Sequence, residues 1–203
     1  MKKGLIIALV VIGVIVLLGV GACQFYAGNY NSMVSRAEAV DAQWAQVENQ
    51  YQRRYDLIPN LVETVKGYAS HESEVLTQVT EARSRAGGVI NVSADVLNDP
   101  QAFQRFQAAQ AELSGALQRL LAVAENYPDL KANENFLALQ DQLEGTENRI
   151  AVERRRFNET VQGYNSFIRQ FPRMFIANMA GFTPKAYFAS EPGAQNAPRV
   201  TFQ

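Results

Sequence analysis

A run of nineteen consecutive uncharged residues, GLIIALVVIGVIVLLGVGA from Gly4 to Ala22, constrains this chain more than any other feature. At about 1.5 Å per residue, a helix of this length spans nearly the ~30 Å hydrocarbon core of a bilayer. A cleaved signal peptide usually has a shorter apolar region, of about 7 to 15 residues. The run therefore predicts a transmembrane helix over residues 5–23, after a short basic segment at residues 1–4.

The end of this run, VGAC, allows a second interpretation. It loosely resembles the processing site of a bacterial lipoprotein, in which the cysteine, here Cys23, becomes acylated. A lipoprotein is thus the alternative to an uncleaved anchor, and Cys23 is a candidate lipidation site.

The charges that flank the run predict its orientation. Lys2, Lys3 and the N-terminal amine precede it, whereas Arg36 is the sole basic residue in the first stretch beyond it. By the positive-inside rule the N-terminus is cytoplasmic, and the remaining ~180 residues lie on the other side. We expect a single-pass protein of the inner (cytoplasmic) membrane, with its soluble part in the periplasm.

Composition limits the chemistry of the soluble part. A formal net charge of −1 argues against nucleic acid, because phosphate binding requires a basic surface. One cysteine excludes an intrachain disulfide and a cysteine-cluster metal site. One histidine excludes zinc sites that need two or three imidazoles from one chain. We therefore expect no catalytic residues, no metal and no cofactor.

Beyond the membrane segment, apolar residues recur at alternating steps of four and three. One series runs from Met33 to Ala86 with two polar interruptions, and others begin at Phe103 and Phe136. This is the heptad period of helices that pack side by side, and none of these stretches alternates with period two. The sequence predicts an all-α chain, with the transmembrane helix followed by an elongated up-and-down bundle of three to four long helices.

Capping and turn residues divide this bundle. Gly87 and Gly88 can end the first region, whereas Asp99 and Pro100 have the chemistry of an N-cap and a first helical residue. The last helix is expected to stop before Pro172. The predicted segments are helices at about 30–58, 59–87, 100–126 and 131–171, which form the bundle at 24–172, a short apolar segment at 173–190 and a flexible tail at 191–203.

Pro59 falls inside the first heptad series. Within a helix, proline removes one hydrogen bond and costs ~3 kcal/mol or more, whereas in a first turn its missing N–H costs little. Asp56 or Ile58 can cap a helix that restarts at this point. We predict a helix joint at Pro59, as a kink or a break near residues 56–59.

Three charged residues, Arg54, Glu147 and Arg154, occupy positions where the heptad series favour apolar side chains. If the helices of the first and third series run parallel, Arg54 comes close to Glu147. We expect an ion pair between them, with Arg154 and Asp56 as further members of a polar seam. Such a pair sets register more than it adds stability, because desolvation cancels much of the attraction. The alternatives are a polar groove for a partner or small ligand, and side chains that turn outward.

Three stretches of the chain carry a resemblance to a known family. They are RRYDLIPNLVETVKGYASHE (53–72), YPDLKANENFLALQDQLEGTENRIAVERRRFNETVQGYN (127–165) and a closing FP...GF...YF pattern from Phe171 to Phe188. They closely resemble the bacterial LemA family. The resemblance implies one N-terminal membrane helix, an up-and-down helical bundle, no established enzymatic activity and genes that often neighbour those of membrane proteases.

These features together predict a non-enzymatic, membrane-anchored helical scaffold or adaptor of the bacterial cell envelope. Its expected partners are membrane lipid, further copies of the chain in a homo-oligomer and another envelope protein such as a membrane protease. The alternative is an extracytoplasmic receptor-like module, in which a ligand at the polar seam shifts the bundle about Pro59.

Overall fold

The computed structural model describes residues 2–90 and 94–189. Within these ranges it contains six α-helices, one 3-10 helix at Ala94–Leu97 and no strand, which confirms the predicted all-α class. The α-helices are, in chain order, α1 (Lys2–Tyr68), α2 (Ser73–Ile90), α3 (Pro100–Ala124), α4 (Pro128–Lys131), α5 (Glu134–Arg169) and α6 (Arg173–Ala180).

The helices belong to two compact units. The first unit combines residues 2–43 with residues 159–184, and so contains the start of α1, the end of α5 and all of α6. The second unit combines residues 44–158 with residues 185–189, and contains α2, α3 and α4. Helices α1 and α5 each contribute to both units.

The apolar run is the beginning of a single helix of 67 residues. Its large side chains from Leu5 to Val20 are 50–73% exposed, as expected for groups that face lipid and not a protein core. By length and composition, this part of α1 can cross a membrane. Helix α1 then continues without a loop to the residues that form the core, which begin at Met33.

The core of the second unit follows the heptad series. Along α1 the buried side chains are spaced by three and four residues, as in Ile58, Leu61 and Val65. They pack against α2, α3, α4 and the first turns of α5 in one apolar cluster. Each fully buried side chain of this size contributes roughly 1.5–3 kcal/mol relative to an exposed one. Burial of the seam therefore accounts for the assembly of these helices.

Within the second unit, α1 and α5 are antiparallel, and not parallel as assumed in the sequence analysis. The ring of Trp44 lies 5.5 Å from that of Phe157, and Arg54 pairs with Glu147. A residue that comes later in α1 therefore contacts a residue that comes earlier in α5. The reason is the number of long helices. Because α1 ends at Tyr68 and α2 returns along it, α5 is the fourth long helix of an up-and-down arrangement.

Of the two forms predicted for the joint at Pro59, the break is wrong, since α1 continues through this residue to Tyr68, and a kink within the helix stays a prediction. Pro59 has no N–H to donate to the backbone oxygen of Tyr55, four residues earlier. Nε of Arg83 in α2 donates to that oxygen instead, at 3.2 Å, and the guanidinium lies 3.8 Å from the centre of the Tyr55 ring. A neighbouring helix thus supplies the hydrogen bond that proline removes.

The end of the predicted second helix also needs correction, because α2 continues through Gly87 and Gly88 to Ile90. A Cβ atom at Gly87 would lie 2.7 Å from Cε2 of Tyr55, whereas one at Gly88 would meet nothing within 4 Å. Gly87 therefore makes room for the tyrosine ring beside Pro59. Its role is close packing between α1 and α2 rather than helix termination.

The predicted start of α3 is confirmed. Asp99 is the N-cap of α3, and its side chain accepts a hydrogen bond from the backbone N–H of Gln101 at 2.8 Å. Helix α5 begins at Glu134 and not at the predicted residue 131, and the side chain of Asn133 caps it by accepting from the N–H of Phe136 at 3.1 Å. The predicted apolar segment at 173–190 contains α6. The predicted tail at 191–203 lies outside the described residues.

Candidate functional site

A buried arginine of α1 lies within the second unit. Arg54 is 1% exposed. Its Nη1 donates to Oε1 of Glu147 at 2.8 Å and to Oγ of Ser114 at 2.9 Å, and its Nη2 donates to Oε1 of Gln110. The hydroxyl of Ser114 donates in turn to the backbone oxygen of Gln110 at 3.1 Å. We call these four residues the Arg54 cluster; it joins α1, α3 and α5.

The cluster forms because each of three heptad series places a polar residue at an inward position. Arg54 belongs to the first series, Gln110 to the second and Glu147 to the third. Arg54 and Glu147 were predicted from their heptad positions, whereas Gln110 and Ser114 were not predicted. A signal for Gln110 was available, since it interrupts the series that begins at Phe103. Ser114 gave none, because it lies beside that series and not on it.

The two charges of the cluster differ in exposure. The side chain of Arg54 is 2% exposed and that of Glu147 is 40% exposed. Removing a guanidinium from water is costly unless its N–H groups are hydrogen bonded. Glu147 keeps part of its hydration, while Gln110 and Ser114 accept further hydrogen bonds from Arg54. This arrangement can fix the register of α1 against α3 and α5.

A cavity of about 600 Å³ opens beside the cluster. Arg54, Glu147 and Arg154 line it, so that two guanidinium groups face one carboxylate. The wall formed by α3 is rich in glutamine, and includes Gln104, Gln107, Gln110 and Gln118. Its chemistry is suited to hydrogen bonding with a ligand that carries acceptor oxygens.

Two buried donors belong to residues that line this cavity. Nε of Arg54 and Nε2 of Gln110 are buried and have no hydrogen-bond partner within residues 2–90 and 94–189. An unsatisfied buried donor costs roughly 1–3 kcal/mol. A ligand oxygen that reached either donor would recover this cost, which makes the cavity a candidate binding site.

The other two predicted members of the seam lie in different environments. Arg154 shares the cavity, but its guanidinium lies 4.7 Å from the centre of the Phe188 ring, and its Nη2 donates to the backbone oxygen of Ala189 at 3.2 Å. Asp56 is exposed and accepts a hydrogen bond from Nε2 of Gln52 at 2.8 Å. Asp56 therefore stands apart from the Arg54 cluster, because it lies two residues from Arg54 and so points from another face of α1.

The remaining candidate residue, Cys23, is an exposed free thiol in α1. No group of three or more His, Cys, Asp or Glu side chains suited to a metal ion occurs in the part of the chain that the structure describes. The Arg54 cluster and its cavity are therefore taken as the candidate functional site.

The sequence of this chain is similar to those of several known proteins. The sequence model of the LemA family matches residues 43–202, a region that includes the whole Arg54 cluster and begins after the apolar run. Magnetosome protein MamQ of Magnetospirillum gryphiswaldense is 28% identical over 86% of this chain and 69% of its own length. Protein LemA of Metamycoplasma hominis is 22% identical over 76% of this chain and 67% of its own length.

Proposed function

Because this chain belongs to the LemA family, we propose that it is a membrane-anchored helical protein that acts without catalysis, as a scaffold or adaptor of the bacterial cell envelope. The observation that carries the proposal is the continuity of α1. One helix contains both the apolar run and a seam of the core, from Lys2 to Tyr68. Anchor and core therefore share one element, which suits a protein whose task is to hold partners at a membrane.

The proposal includes self-association into a homo-oligomer. Anchoring confines the chain to two dimensions, so that modest contacts between copies are strengthened by their high effective concentration. The flanking charges favour a cytoplasmic N-terminus and a periplasmic location for the rest of the chain.

A second envelope protein is the other partner in this proposal. One relative is named a magnetosome protein, which connects at least one similar chain with that structure. For the chain described here, we propose a membrane protein such as a protease as the partner. Cys23, if acylated, would supply a lipid anchor in place of the transmembrane helix.

The oligomer is tested with the full-length chain extracted in mild detergent. Light scattering after size exclusion should give a protein mass several times the 22.5 kDa of one chain. Crosslinking in intact cells should capture the same species. A monomer in detergent, together with no crosslinked product in cells, would contradict the scaffold proposal.

A receptor-like function is the second candidate, and the cavity beside the Arg54 cluster is the observation that favours it. Its two guanidinium groups, amides and unsatisfied donors suit a small anion or an acidic peptide end. In a thermal-shift screen of the full-length protein, carboxylates and acidic peptides should raise the melting temperature. Arg154→Gln should abolish the effect, whereas Arg85→Gln, at an exposed ion pair, should not. An effect that survives Arg154→Gln would exclude this site.

A further inference from the structure

Three large apolar side chains near the end of the first unit are exposed to a degree that the sequence does not predict. Phe171, Phe175 and Met179 are 79%, 59% and 73% exposed. Phe171 continues the heptad series of α5, but that helix ends at Arg169, so its ring does not reach the core. Such large exposed apolar groups normally mark a surface that contacts something else.

The three side chains form one stripe. Phe175 and Met179 are four residues apart in α6, which places them on the same face of that helix, and Phe171 lies in the turn that precedes it. The rings of Phe171 and Phe175 are 5.9 Å apart, in an edge-to-face arrangement. Ile176 and Ala177 are buried on the opposite side of α6. Helix α6 thus has two apolar faces. One packs on the protein, and the other is exposed among the described residues.

Helix α6 is fixed to α1 just beyond the apolar run. Nε of Arg173 donates to Oδ1 of Asn29 at 2.9 Å, and the ring of Phe182 lies 5.7 Å from that of Tyr30. Asn29 comes seven residues after Ala22, which is about 10 Å along a helix. The polar headgroup layer adds roughly 5–8 Å on each side of the hydrocarbon core, so that α6 lies close to its level.

The two contacts also indicate where α6 lies along α1. Arg173 begins the helix and Phe182 follows its end, and they contact the adjacent residues Asn29 and Tyr30 of α1. Both ends of α6 are therefore attached to α1 at the same level, just beyond the apolar run.

Aromatic and basic residues accompany α6 at this level. Phe25, Tyr26 and Tyr30 are exposed on α1, and the rings of the two tyrosines stack at 6.2 Å. Aromatic residues of this kind concentrate where a transmembrane helix leaves the hydrocarbon core. Arg169 is exposed, and residues 160–184 contain two arginines and no acidic residue. A positive, aromatic surface of this kind is complementary to the headgroups of anionic lipids.

We propose that Phe171, Phe175 and Met179 insert into the interfacial layer of the bilayer, so that α6 is a second membrane contact beside the transmembrane part of α1. The inference rests on the membrane anchoring proposed above. It adds an interaction surface that anchoring by α1 does not require.

The test uses full-length protein, with Cys23→Ser, reconstituted into phosphatidylcholine vesicles that contain phosphatidylglycerol. A solvent-sensitive fluorophore is attached in turn to Leu17→Cys, Met179→Cys and Gln162→Cys. Leu17 reports on the transmembrane segment, Met179 on the proposed insertion, and Gln162 is an exposed control on α5 in the same unit. Lipids with a nitroxide at shallow or deep positions quench the label according to its depth.

We expect the label at position 179 to be quenched by shallow nitroxides, the label at 17 by deep ones and the label at 162 by neither. Quenching at 17 without quenching at 179 would overturn the inference and leave the anchor intact. Absence of quenching at 17 would overturn the anchor itself. If position 179 is shielded only at high protein-to-lipid ratio and is not quenched, a second copy covers the stripe and the inference is wrong.

Two further variants support the interpretation. A label at Phe171→Cys, on the same stripe, should repeat the result at 179, which excludes an effect of one substitution on folding. Arg169→Gln should lower the inserted-to-free ratio about fivefold in anionic vesicles, since one basic residue near such a surface contributes roughly 1 kcal/mol. In vesicles of phosphatidylcholine alone this substitution should have no effect. An equal effect in both lipids would exclude the proposed headgroup contact.

Discussion

Two irregularities of α1, Arg54 and Pro59, lie five residues apart, and the structure accommodates them in different ways. Arg54 is a polar side chain at an apolar position, and it is satisfied by residues of α3 and α5. Pro59 is a gap in the backbone hydrogen bonding, and one side chain of α2 fills it. The first needs three residues on two helices, whereas the second needs only Arg83.

This difference indicates how each irregularity affects the fold. The Arg54 cluster restricts how three helices can be aligned, because a shifted register would separate the guanidinium from several partners at once. The hydrogen bond from Arg83 to the backbone oxygen of Tyr55, beside Pro59, restricts only how α1 lies against α2 at one contact. We therefore expect substitutions at the Arg54 cluster to have larger effects than those around Pro59.

The largest expected effect is that of Arg54→Ala. It removes a buried side chain and leaves Gln110 unsatisfied, so the free energy of unfolding should fall by about 3 kcal/mol, near the lower end for a broken buried pair because Glu147 can recover hydration. Denaturant unfolding of the full-length protein in detergent measures this loss. The control is Arg85→Ala: the Arg85–Glu112 pair is also short, at 2.7 Å, but half-exposed, and should contribute about 1 kcal/mol or less.

A double-mutant cycle isolates the pair itself. Arg54→Ala, Glu147→Ala and the double variant should give a coupling energy of roughly 1–2 kcal/mol, as residues in one hydrogen-bonded network do not contribute additively. Coupling near zero would mean that Arg54 is held by Gln110 and Ser114 alone. The larger effect expected at Arg54 than at Pro59 would then not be due to the ion pair.

The sequence was informative about the Arg54 cluster because the heptad period marks inward positions regardless of tertiary detail. That period also predicted the all-α class and the buried seam of α1. It did not predict helix direction, because direction depends on how many long helices precede α5, and this number depends on where α1 ends. The approach of Arg54 to Glu147 was thus predicted with a wrong assumption about the path of the chain.

The next effect concerns the space beside Pro59. Gly87→Ala would place a methyl group 2.7 Å from the Tyr55 ring and should destabilise the protein by about 1–3 kcal/mol. Gly88→Ala is the matched control in the same helix, since its methyl group meets nothing within 4 Å. It should be neutral or stabilising by up to about 1 kcal/mol, because alanine favours helix over glycine. Equal effects of the two variants would show that Tyr55 moves freely.

A smaller effect is expected from the repaired hydrogen bond. Arg83→Ala leaves the oxygen of Tyr55 without its donor and should cost about 1 kcal/mol. In a Pro59→Ala background the new backbone N–H at position 59 can donate to the same oxygen, so the cost of Arg83→Ala should be clearly smaller. Thermal or denaturant unfolding of the four proteins measures the difference. An unchanged cost would indicate that Arg83 acts through its stacking on Tyr55.

The repair could not be predicted from the sequence because its donor is 28 residues away on another helix. Local rules treat Pro59 as a breaker and Gly87 as a terminator, and both rules describe isolated helices. Tertiary contacts change both outcomes: Arg83 supplies a donor, and the Tyr55 ring requires a residue without a side chain. The exposure of Phe171, Phe175 and Met179 was likewise not predicted. Pro172 indicates that the last helix ends before residue 172, but the heptad series counts Phe171 as an inward position.

The smallest expected effect concerns Glu48, a half-buried carboxylate of α1. Burial raises the pKa of Glu48 above its ordinary value. The folded state then holds the proton more tightly than the unfolded state, so the contribution of Glu48 to stability is lost as pH rises from the unfolded pKa, about 4.3, through the raised folded pKa. Glu48→Gln cannot lose a proton, so its stability relative to the wild type should increase over this range and then stay constant. Unfolding free energies measured against pH give this difference, and Glu144→Gln, at an exposed site on α5, is the control. A difference that decreases with pH would mean that the carboxylate of Glu48 is stabilised in the fold, as Arg54 is by its cluster.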